Sequence, residues 1–169
     1  MSFIEKDLVI VGSGISGIHA ALAASRRGLE VLLVERNGSV GGISTIGLCN
    51  PFMRFWLGGE FLVSGIFGEI LVDLHERGGI LRNSFDSEIL KIVFLEKLRK
   101  AGVSLALHSL PTEVVSSERI IEEVSFISSS GAKFTARAKM FLDSTGDASL
   151  AKMAGATLFS GNMEGAHQA

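Results

Sequence analysis

"VIVGSGISGIHAALAASRRGLEVLLVERNGSVGG", Val9 to Gly42, opens with an apolar run and three closely spaced glycines, followed by an alanine-rich stretch and a second apolar run that ends in an acid. A short apolar run without alternation suits a strand buried on both faces of a parallel sheet. Asp7 to Val11 and Glu30 to Glu35 both read that way. Ile15 to Arg27 reads as a helix, with Gly28 placed to end it. Strand, helix and strand within about thirty residues make one βαβ unit. Gly12, Gly14 and Gly17 form G-x-G-x-x-G at the first strand-to-helix turn. The pattern alone is weak, but a strand before it and a helix after it make it specific.

Each glycine has a physical task in that reading. Gly12 permits the tight turn out of the strand. Gly14 lets a pyrophosphate approach the backbone, and Gly17 lets the helix pack close to the sheet. The helix start, Gly14 to Gly17 with Ile15 and Ser16 between, offers free N–H groups and a positive dipole end to phosphate. Glu35, at the tip of the second strand, is placed to accept hydrogen bonds from the hydroxyls of an adenosine ribose. A carboxylate there repels a 2′-phosphate, which disfavours NADP.

The rest of the sequence bounds the answer. The 169 residues fit one domain; 47% are hydrophobic and 20% charged, so a packed core is expected and disorder is not. Net charge is -2 with no basic stripe, which argues against nucleic acid as a partner. Leu8 to Val11 is too short an apolar run for a signal peptide or a membrane span. One cysteine, Cys49, excludes an intrachain disulfide and suits a reducing cytoplasm. The expectation is a cytoplasmic protein without a membrane span.

Beyond Gly42 the order continues as α/β. Gly38 to Gly59 is glycine-dense and reads as a loop with one short helix after Gly42. Val63 to Arg77 and Ser87 to Lys100 read as helices, the second capped by Asp86, and Val103 to Leu107 reads as a strand. After Pro111, Val114–Ser117, Ile120–Ile127 and Lys133–Ala138 read as antiparallel strands. Lys139 to Asp143 reads as a further buried strand, followed by "STGD" and a helix from Ala148 to Ala154.

Four pieces together resemble the FAD-dependent oxidoreductases with the two-dinucleotide-binding-domain fold, the glutathione-reductase-like group with its fumarate-reductase-type flavoproteins. They are the βαβ unit; the pair Gly41–Gly42 after Glu35; "GLCNPFM" with "SGIFGEILVDLHERGG" and "SFDSEILKIVFLEKLRKAGV"; and "KMFLDSTGDASLAKMAGA". The resemblance implies an FAD/NAD(P)-binding Rossmann-like three-layer fold, with a mainly parallel sheet and a small antiparallel crossover. It implies FAD as cofactor and a small-molecule redox substrate. Gly41, Gly42, Ser44 and Thr45 would border the cofactor. Gly146 and Asp147 would meet the ribityl chain and pyrophosphate. An ordinary N-cap role for Asp147 is the alternative. The segment Leu110–Pro111–Thr112 aligns with the backbone that reads the adenine edge in the family. Pro111 has no N–H to offer, so the contact moves to Thr112 or adenine is held loosely. Arg36 is then a candidate to pack on the adenosine.

Dithiol members of the wider group carry two cysteines after the glycine pair. Cys49 and Pro51 stand where the second cysteine and its following proline would be, and Ser44 where the first would be. Cys49 is therefore the one candidate for a redox role, against the plainer expectation of a small buried hydrophobe. His19, His75, His108 and His167 show no metal-ligand spacing, and no metal site is expected. The reading is an FAD-binding domain over residues 1–169, one portion of a larger flavin oxidoreductase whose substrate domain and flavin-covering segment are absent. Apolar surface left open around Phe52, Phe55 and Trp56 would favour a homo-oligomer or await the missing domain. A non-catalytic nucleotide-binding module, or a remnant of a larger enzyme, is the alternative, and an NAD-dependent dehydrogenase a more distant one.

Overall fold

A computed structural model describes residues 2–118, 120–159 and 161. His167 lies outside these residues. The chain runs β1 (Ser2–Val11), α1 (Ile15–Ser25), β2 (Val31–Val34), a 3-10 turn (Gly42–Ser44), β3 (Trp56–Leu57), β4 (Glu60–Phe61) and α2 (Ile66–Glu76). It continues with β5 (Ile80–Leu81), β6 (Ser84–Phe85), α3 (Ser87–Lys100), β7 (Ser104–Ala106), β8 (Ser109–Ser117), β9 (Ile120–Ser128), β10 (Lys133–Asp143) and α4 (Ser149–Met153). Six strands form one sheet in the order β7-β2-β1-β10-β9-β8, while β3-β4 and β5-β6 are separate hairpins. The pairs β7–β2, β2–β1 and β1–β10 are parallel; β10–β9 and β9–β8 are antiparallel.

The central strands are apolar on both faces because both faces are covered. Leu8 and Ile10 of β1 join Val31 and Leu33 of β2 under α1, α2 and α3, in a core that includes Ile18, Leu22, Ile70, Leu74, Leu90 and Phe94. Val9, Val11, Leu32 and Val34 face the other way and pack with Val124 and Phe126 of β9, Ala136 of β10 and Leu150 of α4. These are the three expected layers. Asp86 caps α3 as its position suggested: one carboxylate oxygen accepts from the N–H groups of Glu88 (2.8 Å) and Ile89 (3.0 Å).

Two expectations about the strands are corrected. Lys133–Ala138 and Lys139–Asp143 are not two strands but one, β10, paired with β1 from Ser2↔Phe134 to Val11↔Asp143. Its first half also pairs with β9, so the antiparallel crossover is continuous with the parallel sheet. The reason lies in β1, which starts at Ser2 rather than Asp7 and supplies a template for the whole length of β10. Charge pairs add contacts midway along β1 and β10 and at the start of β2. The Lys139 ammonium donates to Asp7 at 2.7 Å, and Lys6 pairs with Glu30 at 3.1 Å. Among the described residues, no helix is long and apolar enough to cross a membrane.

Candidate functional site

The C-terminal ends of β1, β2 and β10 gather the glycine loop, Glu35 and the "STGD" turn at one edge of the sheet. Parallel register does this directly, since Val11 lies beside Val34 on one side and Asp143 on the other. Gly12 turns away at φ +101°, and a Cβ there would stand 2.5 Å from the Ser144 carbonyl oxygen. Only glycine combines that φ with that approach. A Cβ on Gly17 would stand 2.0 Å from the Gly12 oxygen, so the loop and α1 are in contact at this point. Gly14 is different: nothing lies within 4 Å of where its Cβ would be. It is the N-cap of α1, has φ -66°, and brings no side-chain cap to the helix end. The opening of α1, with Ile15 half-buried and Ser16 exposed, is thus left for an outside acceptor.

The glycine pair closes over this loop. Gly41 donates its N–H to the Ser13 oxygen at 2.8 Å. A Cβ on Gly42 would stand 3.1 Å from the Gly14 Cα, so the two loops touch backbone to backbone. Ser44 and Thr45 follow the glycine pair. Their hydroxyls turn inward, Ser44 Oγ donating to Gly41 O (2.7 Å) and Thr45 Oγ1 to Val40 O (2.6 Å). Both residues are buried, and their side chains shape the loop.

Glu35 is buried at 6% exposure and its carboxylate is already fully engaged. Oε2 accepts from the Ser13 N–H (2.9 Å) and hydroxyl (2.7 Å). Oε1 accepts from the Asn37 N–H (2.9 Å) and side-chain amide (2.8 Å). Burial pushes its pKa up, but the hydrogen bonds from Asn37 and Ser13 outweigh it and hold the carboxyl below its ordinary value. Ser13 and Asn37 were not singled out from the sequence. Neither carries a motif, although a serine inside G-x-G and an asparagine two residues after the acid are the signals that a search for donors would have used. Arg36 is exposed and unpartnered among the described residues, free to lie on a ligand at this edge.

The adenine-edge segment falls in β8 beside this carboxylate. Ser109 donates its N–H to the Glu35 backbone carbonyl oxygen at 2.9 Å. Pro111 pairs with Phe126 of β9, and the register then shifts between Pro111 and Glu113. Thr112 is the extra residue at that bulge, without a Cα partner across the ladder, which leaves its backbone as the alternative to the missing proline N–H.

At "STGD" the N-cap expectation for Asp147 is corrected. α4 is capped by Ala148 at φ +51°, with no side-chain cap bond. Asp143 and Thr145 hold the turn instead. Asp143 Oδ1 accepts from the Thr145 N–H (2.9 Å) and hydroxyl (2.7 Å), and Oδ2 from the Ala151 N–H (2.8 Å). Thr145 Oγ1 accepts from the Ser149 N–H at 2.8 Å. Gly146 and Asp147 are exposed at the tip, and no described residue engages the Asp147 carboxylate. Below the glycine loop, the Ser144 hydroxyl is buried without a hydrogen-bond partner, 3.1 Å from where a Gly17 Cβ would be. The open space at Gly14, the free Asp147 and the orphaned Ser144 hydroxyl fit a polar ligand lying across these strand ends.

Cys49 is exposed, which corrects the expectation of a small buried hydrophobe. It lies in the irregular stretch after the 3-10 turn, where no element covers it. Phe55 is likewise buried at 7% rather than open. The open apolar surface is carried mainly by its neighbours, in a groove of about 1180 Å³ lined by Phe55 itself with Trp56, Phe61, Val63, Leu71, Val72 and Ile80. Among the described residues, no cluster of histidine, cysteine and acids could hold a metal ion.

The family described as "FAD dependent oxidoreductase" matches residues 7–169. The digeranylgeranylglycerophospholipid reductase of Methanocella arvoryzae is 29% identical over 165 residues, covering 84% of this chain and 39% of that protein. A thiamine thiazole synthase of Sulfolobus acidocaldarius is 48% identical over 42 residues, or 25% of this chain and 16% of that protein. This chain thus spans well under half the length of these relatives. In fold, the THI4 protein of Thermovibrio ammonificans superposes with a TM-score of 0.64 at 22% identity, over 91% of this chain and 64% of its own. A geranylgeranyl bacteriochlorophyll reductase-like protein of Thermoplasma acidophilum superposes at 0.67 and 16% identity, over 91% of this chain and 43% of its own.

Proposed function

Since this chain belongs to the FAD dependent oxidoreductase family, we propose that the strand-end site is where it holds the FAD of a redox enzyme acting on a small molecule. One observation supports this most: the uncapped start of α1 opens at Gly14 between the glycine pair and a buried, ionised Glu35. The N–H groups from Gly14 to Gly17 bind the pyrophosphate, with Gly12 setting the turn and Gly41 and Gly42 closing beside it. Glu35 takes the adenosine ribose, Arg36 packs on the adenosine and the Pro111–Thr112 backbone borders the adenine. Gly146 and Asp147 receive the ribityl chain. When bound, FAD supplies the hydride and electron transfer; the chain's residues bind it, orient it and exclude water from its adenosine end.

The apolar groove beside α2 is a face that a second copy of the chain can cover. A cytoplasmic setting accords with the single, exposed thiol. Reconstitution tests the reading. The purified chain mixed with FAD and desalted is expected to keep a flavin absorbance band and to release FAD, identified by mass, on denaturation. A chain that emerges colourless at every protein concentration overturns it.

A further inference from the structure

Glu35 presents a problem that the ribose reading must solve. An ionised carboxylate has about four acceptor positions. In this chain all four are taken, by the Ser13 N–H and hydroxyl on Oε2 and by the Asn37 N–H and amide on Oε1. A ribose hydroxyl can donate to Glu35 only where one of these leaves. Two of the donors are backbone N–H groups fixed by the turns that carry them. The third, the Ser13 hydroxyl, belongs to a residue with 0% exposure under the Gly41 contact. The fourth is the Asn37 side-chain amide. It sits at the half-buried rim, on a side chain that can rotate out to water without moving the backbone.

We infer that the Asn37 amide stands in for a ribose hydroxyl in the empty chain and is displaced when the adenosine end of FAD arrives. Asn37 is then an internal competitor. It keeps a buried carboxylate satisfied when no ligand is present, since an unpaired buried charge is costly. It gives up a charge-assisted hydrogen bond when the ribose supplies an equivalent one. Removing it has two effects of opposite sign: the empty chain becomes less stable, and adenosine-containing ligands bind more tightly. A residue that merely supports the fold would lower both. Asn37 does so only through Glu35, so its effect on binding disappears when the carboxylate does.

The inference rests on FAD occupying this site, and the experiment separates the two. Titrate the wild-type chain, Asn37→Ala, Glu35→Gln and the double variant with FAD and with ADP, and record the thermal midpoint of each empty chain. Asn37→Ala is expected to bind both ligands about three- to tenfold more tightly, the scale of the net contribution of one hydrogen bond, while melting earlier. In the Glu35→Gln background the same substitution is expected to change binding by less than about twofold, a coupling that a double-mutant cycle reads directly. Asn37→Ser, which keeps a short donor and a turn-compatible backbone, provides a second variant should alanine disturb the loop; it is expected to fall between the two. Weaker or unchanged binding by both Asn37 variants, with wild type binding FAD and ADP, overturns the inference alone. Wild type that binds neither ligand overturns the FAD site and the inference with it.

Discussion

Glu35 shows how a single residue links folding to pH. Its hydrogen bonds hold the folded pKa below the ordinary 4.5, despite burial that pushes the other way. On unfolding it regains the ordinary value, so the unfolded chain takes up the proton first as pH falls. The stabilisation is complete above about pH 4.5 and is lost as pH drops through the folded value. Urea midpoints measured between about pH 6 and about pH 3.5 are expected to fall, and Glu35→Gln to flatten that fall. Cys49 gives a simpler check at this scale. As an exposed thiol it is expected to react completely with a water-soluble alkylating reagent without denaturant, and protection would contradict its placement. Glu35 itself was legible in the sequence, because an acid at the tip of a second strand is a local pattern. Its four donors were not. They depend on a turn that folds Ser13 and Asn37 onto one carboxylate from opposite sides in sequence, which no spacing rule displays.

At the scale of the element, the glycine loop separates two roles that the motif alone merges. Gly12→Ala puts a methyl 2.5 Å from the Ser144 carbonyl at a φ that alanine avoids, and is expected to cost about 2–4 kcal/mol of stability. At Gly14 a Cβ would have no protein atom within 4 Å and the backbone is not in the left-handed region, so Gly14→Val is expected to cost the fold about 1 kcal/mol or less. FAD and ADP binding is expected to disappear in that variant, since the branched side chain fills the space proposed for pyrophosphate. Retained affinity would remove the phosphates from this loop. The "STGD" turn makes a parallel case. Asp143→Ala takes away the acceptor for three hydrogen bonds and is expected to lower stability by about 1–3 kcal/mol and to loosen FAD with it. Asp147→Ala should leave stability alone and affect only the ligand. The motif drew attention to Asp147, yet Asp143 organises the turn. Its bond from the Ala151 N–H spans eight residues, from strand to helix, and exists only once β10 and α4 have packed.

For the whole molecule, the parallel sheet was readable because buried strands betray themselves by unbroken apolar runs. The continuity of β10 was not readable, since a strand that is antiparallel to one neighbour and parallel to another changes its surroundings midway without changing its own conformation. The groove beside α2 follows from the same limit: an apolar surface is visible in composition, but which aromatic is inside is decided by packing. Phe55 is enclosed among Phe52, Trp56, Phe61 and Phe67, leaving Trp56 and Phe61 at the surface. A groove this apolar is expected to make the isolated chain self-associate. Phe61→Asp with Val72→Asp is expected to shift the sedimentation profile to monomer while leaving FAD affinity within about twofold, because neither residue borders the strand-end site. The central claim, that the adenosine half of FAD is the part this chain grips, is tested most directly by competition. With FAD bound, ADP is expected to displace it and FMN, which lacks the adenosine, is not. Displacement by FMN with no effect of ADP would contradict the account.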